Sequence, residues 1–243
     1  MILVLGGTAE GRTLATELVA AGVPVTSSLA GRVAAPRLPP GEVRVGGFGG
    51  ADGLAEYLAE HRISAVINAT HPFAAQITAN AATACARTGT PLLVLRRPPW
   101  QARDDDKWTT TPDLPAAAAA LTDYAAEAVV LLTIGRQGVA AFSAAPQRFW
   151  LRSVDPPDGP LPARAEVILD RGPFTVPDER ELMRRLTVDV LVTKNSGGPM
   201  TVAKLVAARE LGLPVIVVDR PPLPPDMQVV DDVRGALSWA GSR

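Results

Sequence analysis

Aromatic residues are scarce in this chain, at 5% of 243 residues, and there is a single cysteine, Cys85. One cysteine excludes an internal disulfide and a cysteine-rich metal site. It lies in an alanine-rich stretch, where a small core residue is expected. With few aromatics, a hydrophobic content of 47% has to come from Ala, Val, Leu and Ile, as in the apolar strands of parallel sheets. Charge of one sign is lacking too. The 24 Lys and Arg against 25 Asp and Glu leave a net charge of -1, which speaks against bulk nucleic-acid binding. There is no long apolar run. The longest, such as Val129–Ile134, have strand length and fall far short of the roughly 20 residues of a membrane span. Met1 leads straight into a strand pattern, which leaves no room for a signal peptide. A cytoplasmic protein without membrane or nucleic-acid partners is expected.

What is present is an alternation of strand-like and helix-like segments, the mark of βαβ units and a parallel sheet. Strands are predicted at Ile2–Leu5, Val23–Leu29, Val43–Gly46, Ala65–Ala69 and Pro91–Arg96, and helices at Glu10–Ala21, Ala51–His61 and Ala74–Thr88. Pro98–Pro115 interrupts the pattern and reads as a connection, its Asp104–Asp106 run as a solvated turn. The alternation then resumes. Helices are predicted at Leu114–Ala126, Gly138–Ala144, Asp178–Arg185, Met200–Leu211 and Gly235–Trp239. Strands are predicted at Val129–Thr133, Arg148–Ser153, Val188–Thr193 and Val215–Val218, and Val167–Asp170 is too short to classify. The expected class is α/β, with two Rossmann-like lobes over 1–112 and 113–243. Each lobe would carry a parallel sheet, with a cleft between them for a cofactor and a large substrate.

The chemistry-bearing segments follow strands. Ile2–Leu5 runs into Gly6-Gly7-Thr8-Ala9-Glu10-Gly11-Arg12. Gly6 and Gly7 permit a tight turn and close approach of a phosphate, and Gly11 permits close helix packing. The helix N-terminus offers N–H groups to an anion. Thr8 stands where the dinucleotide fingerprint has its second glycine, and its hydroxyl is a candidate phosphate donor. An NAD-specific site places an acid near the end of the second strand, to hold the ribose 2′-OH. Here that segment is Ser27-Ser28-Leu29-Ala30-Gly31-Arg32. With no acid and with Arg32 available, a phosphorylated ribose, and hence NADPH, is favoured.

Asn68-Ala69-Thr70-His71-Pro72-Phe73-Ala74 puts polar groups at a strand end. His71 could bind a carboxylate or donate a proton, whereas His61 reads as solvent-exposed. Arg96 and Arg97 end another strand, and Gly135-Arg136 and Arg171-Gly172-Pro173-Phe174 repeat the theme. Together these arginines suggest a pocket for a polyanion. Thr193-Lys194-Asn195-Ser196-Gly197-Gly198, followed by Lys204, can form an anion-binding nest of backbone N–H groups. Lys194 could contact a ligand, or act as an acid if its pKa were lowered by burial. The P-loop spacing is absent, so kinase or ATPase chemistry is not expected.

Taken together, GGTAEGR (Gly6–Arg12), NATHPFA (Asn68–Ala74), LRRPPW (Leu95–Trp100), TIGRQG (Thr133–Gly138), RGPF (Arg171–Phe174) and TKNSGG (Thr193–Gly198) with Lys204 resemble the precorrin-6A reductase family (CobK/CbiJ) over nearly the whole chain. The resemblance implies an NADPH-dependent oxidoreductase of cobalamin biosynthesis, acting on a CH–CH bond. It would transfer a hydride to one double bond of precorrin-6A and give precorrin-6B. The implied assignment has Gly6, Gly7, Thr8, Glu10, Gly11, Arg12, Arg32, Thr70, Asn195, Ser196 and Gly197 at the cofactor. It has His71, Arg97, Gly135, Arg136, Arg171, Lys194 and Lys204 at the tetrapyrrole, with Lys194 and His71 as catalytic groups and no metal.

Two alternatives stay open at this point. One is the cobalt-containing precorrin of the anaerobic route as substrate, and the other is a non-catalytic NADPH-binding sensor. A sugar epimerase or dehydratase is disfavoured, because its Tyr-x-x-x-Lys pair is missing: Tyr57 is followed at that spacing by His61, and Tyr124 by Ala128.

Overall fold

The computed structural model describes residues 1–31 and 37–242. The chain opens with β1 (Ile2–Leu5), α1 (Ala9–Ala20), β2 (Val25–Leu29), β3 (Glu42–Val45), α2 (Gly50–Glu60), β4 (Ala65–Asn68), α3 (Ala75–Thr88) and β5 (Leu92–Leu95). It continues through β6 (Trp108–Thr111), α4 (Leu114–Ala120), β7 (Val129–Thr133), β8 (Arg148–Ser153), β9 (Ala165–Leu169) and α5 (Val176–Arg185). It ends with β10 (Val190–Lys194), α6 (Ala203–Glu210), β11 (Val215–Val218), β12 (Gln228–Val230) and α7 (Val233–Gly241). Two compact units result. One is 1–98 with 222–243, the other 99–221. Each holds a six-stranded sheet, in the orders β12-β5-β4-β1-β2-β3 and β6-β11-β10-β7-β8-β9, and all pairings among the described residues are parallel. The α/β class with two parallel sheets is as the alternation predicts.

Both sheets have the doubly wound order, in which the sequence runs outward in both directions from a central pair. The sixth position of each is filled by exchange. After β5 the chain enters the second sheet as β6, beside β11, and after β11 it returns to the first as β12, beside β5. The boundary expected at 112/113 therefore falls behind β6, a strand of the second sheet. The C-terminal residues expected in the second lobe complete the first. Nothing in the periodicity reveals this, because β6 (Trp-Thr-Thr-Thr) and β12 (Gln-Val-Val) are short, largely exposed edge strands.

The apolar core of the first unit follows the strand period of two. Ile2 and Val4 face Leu14 and Leu18 of α1 and Trp239 of α7. Leu3 and Leu5 face Leu54 and Leu58 of α2 and Ala81 and Ala84 of α3, with Cys85 in the same layer. Burial pushes the Cys85 thiol up to about 12, so it is an inert core residue, as its alanine-rich setting suggests. In the second unit Leu131, Leu191 and Val215 pack under Met183 of α5 and Leu205 of α6.

Several predicted elements are corrected. The helix expected to reach Ala126 stops at Ala120 and tightens into a 3₁₀ turn, Leu121–Asp123. There the Gln147 side-chain amide donates to the carbonyls of Leu121 and Tyr124, at 2.9 and 3.2 Å. The helix expected at 138–144 is only a 3₁₀ turn, Val139–Phe142. The segment left unclassified around Val167 is β9. In the Asp104–Asp106 run, expected to be solvated, the Asp106 side chain is 1% exposed. It accepts two 2.9 Å bonds from Arg209 on α6, a bidentate pair.

Inside the second unit, Arg152 of β8 and Glu179 of α5 form a second bidentate pair, at 3.0 and 2.7 Å, with side chains 6% and 1% exposed. The Arg152 guanidinium also lies 3.9 Å over the Phe174 ring. Removing one partner of such a pair strands the other charge in the interior. Glu179→Ala is expected to lower unfolding stability by about 3–5 kcal/mol, measured as the urea midpoint. A change below about 1 kcal/mol would show that Arg152 finds water or another acceptor.

Candidate functional site

In a doubly wound sheet the binding crevice lies at the carboxyl ends of the strands where the order reverses. In the first sheet that point is between β1 and β4, which pair in register from Ile2↔Ala65 to Leu5↔Asn68. The glycine turn after β1 and the polar segment after β4 are therefore neighbours. Gly7 takes φ +111, and a Cβ there would meet nothing within 4 Å, so the turn is open on that side. Gly11 is tight instead. A Cβ on it would sit 3.4 Å from the Ala69 Cβ, the Gly6 Cα and the Thr8 hydroxyl, which is the close helix packing expected of it. Glu10 and Arg12 follow in the first turn of α1, both half-buried.

Thr8 is the N-cap of α1. Its hydroxyl accepts from the Gly11 N–H at 3.0 Å and donates to the Ala69 carbonyl at 2.7 Å. The single hydroxyl proton is thus committed to β4, and what Thr8 offers a ligand is its backbone and the helix start behind it. This corrects the expectation of a hydroxyl donor to phosphate. Asn68, buried, donates to the Thr78 hydroxyl and accepts from both the N–H and the hydroxyl of Thr70. The exposed His71 accepts the Phe73 N–H at its Nδ1, at 3.3 Å, so the neutral ring carries its proton on Nε2. Arg97, from the end of β5, reaches Glu10 at 2.8 Å. Thr8, Glu10, Thr70 and Arg97 line one narrow crevice. Arg32 lies outside the described residues.

The second sheet reverses between β7 and β10, paired from Val190↔Val130 to Thr193↔Thr133. Beyond these ends come Gly135 and Arg136 on one side and Lys194, Asn195, Ser196 and Gly197 on the other. Gly135 is exposed with φ +79, and Arg136 pairs with Asp158 at 3.4 Å. Arg171 is exposed beyond β9. Lys194, half-buried at the end of β10, has its pKa lowered by burial.

Asn195 and Lys204 turn out differently from the sequence reading. The Asn195 side chain accepts from the Trp100 N–H at 2.8 Å and donates to the Trp100 carbonyl at 3.1 Å, while the Trp100 indole donates to the Gly198 carbonyl at 2.9 Å. Its amide therefore clamps Trp100 to the TKNSGG loop. Lys204 is 4% exposed. Its ammonium donates to the Thr201 carbonyl at 2.9 Å and lies 5.0 Å from the Trp100 ring centroid, so it supports the loop from behind. Sequence reasoning missed Arg152 and Glu179, which flank this lysine electrostatically. The available signal was an arginine directly after the apolar run Phe149–Leu151 in β8, a position that demands a buried partner.

The chain matches the family model for precorrin-6x reductase CbiJ/CobK over residues 1–241. It belongs to that family. A precorrin-6A reductase of Rhodococcus erythropolis is 56% identical, across 99% of this chain and 97% of that protein. A solved structure, a CobK precorrin-6A reductase, is 48% identical and superimposes with a TM-score of 0.92, covering 99% and 96% of the two chains. A cobalt-precorrin-6A reductase of Priestia megaterium is 34% identical over 91% of each chain. As a precorrin-6x reductase the chain is an oxidoreductase of cobalamin biosynthesis. Among the described residues no helix is long and apolar enough to cross a membrane.

Lys204 gives this reductase a pH signature. Burial, with the Arg152 charge adding to it and Glu179 opposing, lowers its pKa to about 7. The unfolded chain, with an ordinary lysine, holds the proton up to about pH 10.5. Between these values the unfolded state binds more protons, so stability contributed at this site rises with pH. Wild type is expected to gain stability relative to Lys204→Met as pH is raised from 7 to 10, followed as the difference between their urea midpoints. A constant difference would show that the amine is not desolvated.

Proposed function

We propose that this chain is the cytoplasmic, NADPH-dependent precorrin-6A reductase, transferring a hydride to one CH–CH-forming double bond of the macrocycle and giving precorrin-6B. The observation that carries the reading is the glycine turn into α1 at the switch point of the first sheet, beside a second strand that ends without an acid. A dinucleotide fits there. The turn is open at Gly7, Gly11 lets α1 close on β4, and the first-turn N–H groups of a helix are anion sites. The first unit acts as the dinucleotide-binding lobe. Gly6, Gly7, Thr8, Glu10, Gly11, Arg12 and Thr70 would hold the phosphates and ribose, with Arg32 as a cation beyond β2. Within the second unit, Ser196 and Gly197 offer backbone donors of the same kind, in a loop that Asn195 shapes through Trp100.

The bound nicotinamide supplies the hydride. The protein's part is to bind carboxylates, orient the ring and manage a proton. Arg97, Arg136 and Arg171, with the Gly135 backbone, are charge-assisted donors for the acetate and propionate groups of a precorrin, and Lys204 acts through the loop it supports. Lys194 gives up a proton more readily than an exposed lysine because burial disfavours its charged form. His71 accepts the Phe73 N–H at Nδ1 and so carries its proton on Nε2 when neutral. These two hold or deliver the proton that makes the macrocycle a better hydride acceptor. The higher identity to the relative named for precorrin-6A than to the one named for the cobalt form favours the metal-free substrate.

The test is anaerobic oxidation of NADPH with precorrin-6A, against NADH and against cobalt-precorrin-6A. Oxidation with NADPH and a changed macrocycle spectrum are expected. Turnover of the cobalt compound alone would replace the substrate, and tight NADPH binding without turnover of either would make the chain a sensor. Lys194→Ala should lower kcat by about 10²-fold or more while the Kd for NADPH stays within about twofold. An unchanged kcat would remove Lys194 from the proton role.

A further inference from the structure

The row of residues in register across the first sheet runs from Leu5 to Ser28 to Arg44. Leu5 is the last residue before the glycine turn, and the Gly6 N–H donates to the Ser28 carbonyl at 2.9 Å. Arg44 therefore stands at the same height of the sheet as the turn, one strand beyond β2, about 10 Å across at the usual strand spacing. In this fold the ribose 2′ group is read at the carboxyl end of the second strand.

The guanidinium of Arg44 is held in place. Its Nη1 donates to the Ser28 hydroxyl at 3.2 Å and to the Gly46 carbonyl at 2.8 Å, and its Nη2 to the Gly47 carbonyl at 2.9 Å. One face lies 3.8 Å over the Phe48 ring. The Gly46 N–H closes on the Leu29 carbonyl at 2.8 Å, tying the end of β3 to the end of β2. Two features distinguish this cation from other arginines at strand ends. Arg97, Arg136 and Arg152 each have a carboxylate partner, whereas among the described residues Arg44 has none. Its Nε–H and one Nη2–H also have no acceptor among the described residues. A fixed, half-buried guanidinium with spare donors and no ion pair among the described residues is suited to a phosphate dianion.

We propose that Arg44 is the residue that makes the dinucleotide site select a 2′-phosphorylated ribose, with the Ser28 hydroxyl beside it. The proposal rests on the NADPH reading above and adds its discriminating group. Arg44 was not among the residues singled out from the sequence, because it sits on the third strand rather than in the loop after the second.

The test is calorimetric binding of adenosine 2′,5′-bisphosphate and of 5′-AMP to wild type and to Arg44→Gln, with kcat/KM for NADPH and NADH alongside. Wild type is expected to prefer the bisphosphate. Arg44→Gln should lose about tenfold or more of bisphosphate affinity, as expected for a charge-assisted bond, and hold 5′-AMP within about twofold. NADPH efficiency should fall through KM while NADH efficiency stays level. If wild type shows no preference, the NADPH reading and the proposal both fall. If wild type prefers the bisphosphate and Arg44→Gln keeps that preference, or loses both ligands equally, the proposal alone falls. Should Arg44→Gln not fold, judged by its thermal transition, Arg44→Lys keeps the charge without the planar fork. A selective loss of bisphosphate affinity is then expected, and an unchanged ratio overturns the proposal.

Discussion

Parallel pairing is the constraint on which the rest depends. Because every strand in both sheets runs the same way as its neighbours, every strand's carboxyl end opens on the same edge of its sheet, and every return must be made by a crossover. Loops that carry chemistry are thus sorted to one edge and loops that only turn the chain to the other. The switch points then select among them. GGTAEGR and NATHPFA meet across β1 and β4, and TIGRQG and TKNSGG across β7 and β10. A dinucleotide turn and an anion nest arise from the same strand geometry used twice.

The buried polar side chains near these edges mostly hold the site's backbone rather than face a ligand. Thr8 ties α1 to β4, Asn68 bridges Thr70 and Thr78, and Asn195 copies a backbone pairing with Trp100. Each satisfies donors and acceptors that would otherwise be buried unpaired, at a cost of about 1–3 kcal/mol per group. The result is a turn and a loop whose backbone is held by the protein's own side chains, which is the condition for preorganised anion binding. Lys204 extends this logic. The ammonium beneath the loop donates to the Thr201 carbonyl and lies by an indole ring, yet burial outweighs this support, so its charged and neutral forms balance only near pH 7.

The exchange of sixth strands links the two sheets covalently in both directions, through β6 and through β12. Each unit therefore completes its sheet only when the whole chain is present. The strands concerned bury little, and their contribution is to cover the β5 and β11 edges, which would otherwise expose unpaired N–H and C=O groups.

Much of the fold was legible in the residues. Apolar strand runs such as Ile2–Leu5 and Ala65–Asn68, helix stops at Gly22 and Gly89, and the glycine turn are local signals with local causes, and they read correctly. So did the roles of Gly11 and Cys85, which depend on size alone. The α/β class and the recurrence of arginines at strand ends followed from the same reading. Tertiary structure alone decided which strand completes which sheet, because edge strands have no pattern that names their neighbour. It also decided what each polar side chain faces. Thr8, Asn195 and Lys204 have the right chemistry for ligands, yet each is engaged by the protein's own backbone, at Ala69, Trp100 and Thr201. Arg44, Arg152 and Glu179 acquire their character only through register and burial, since a charge's worth depends on the dielectric and partners that packing supplies.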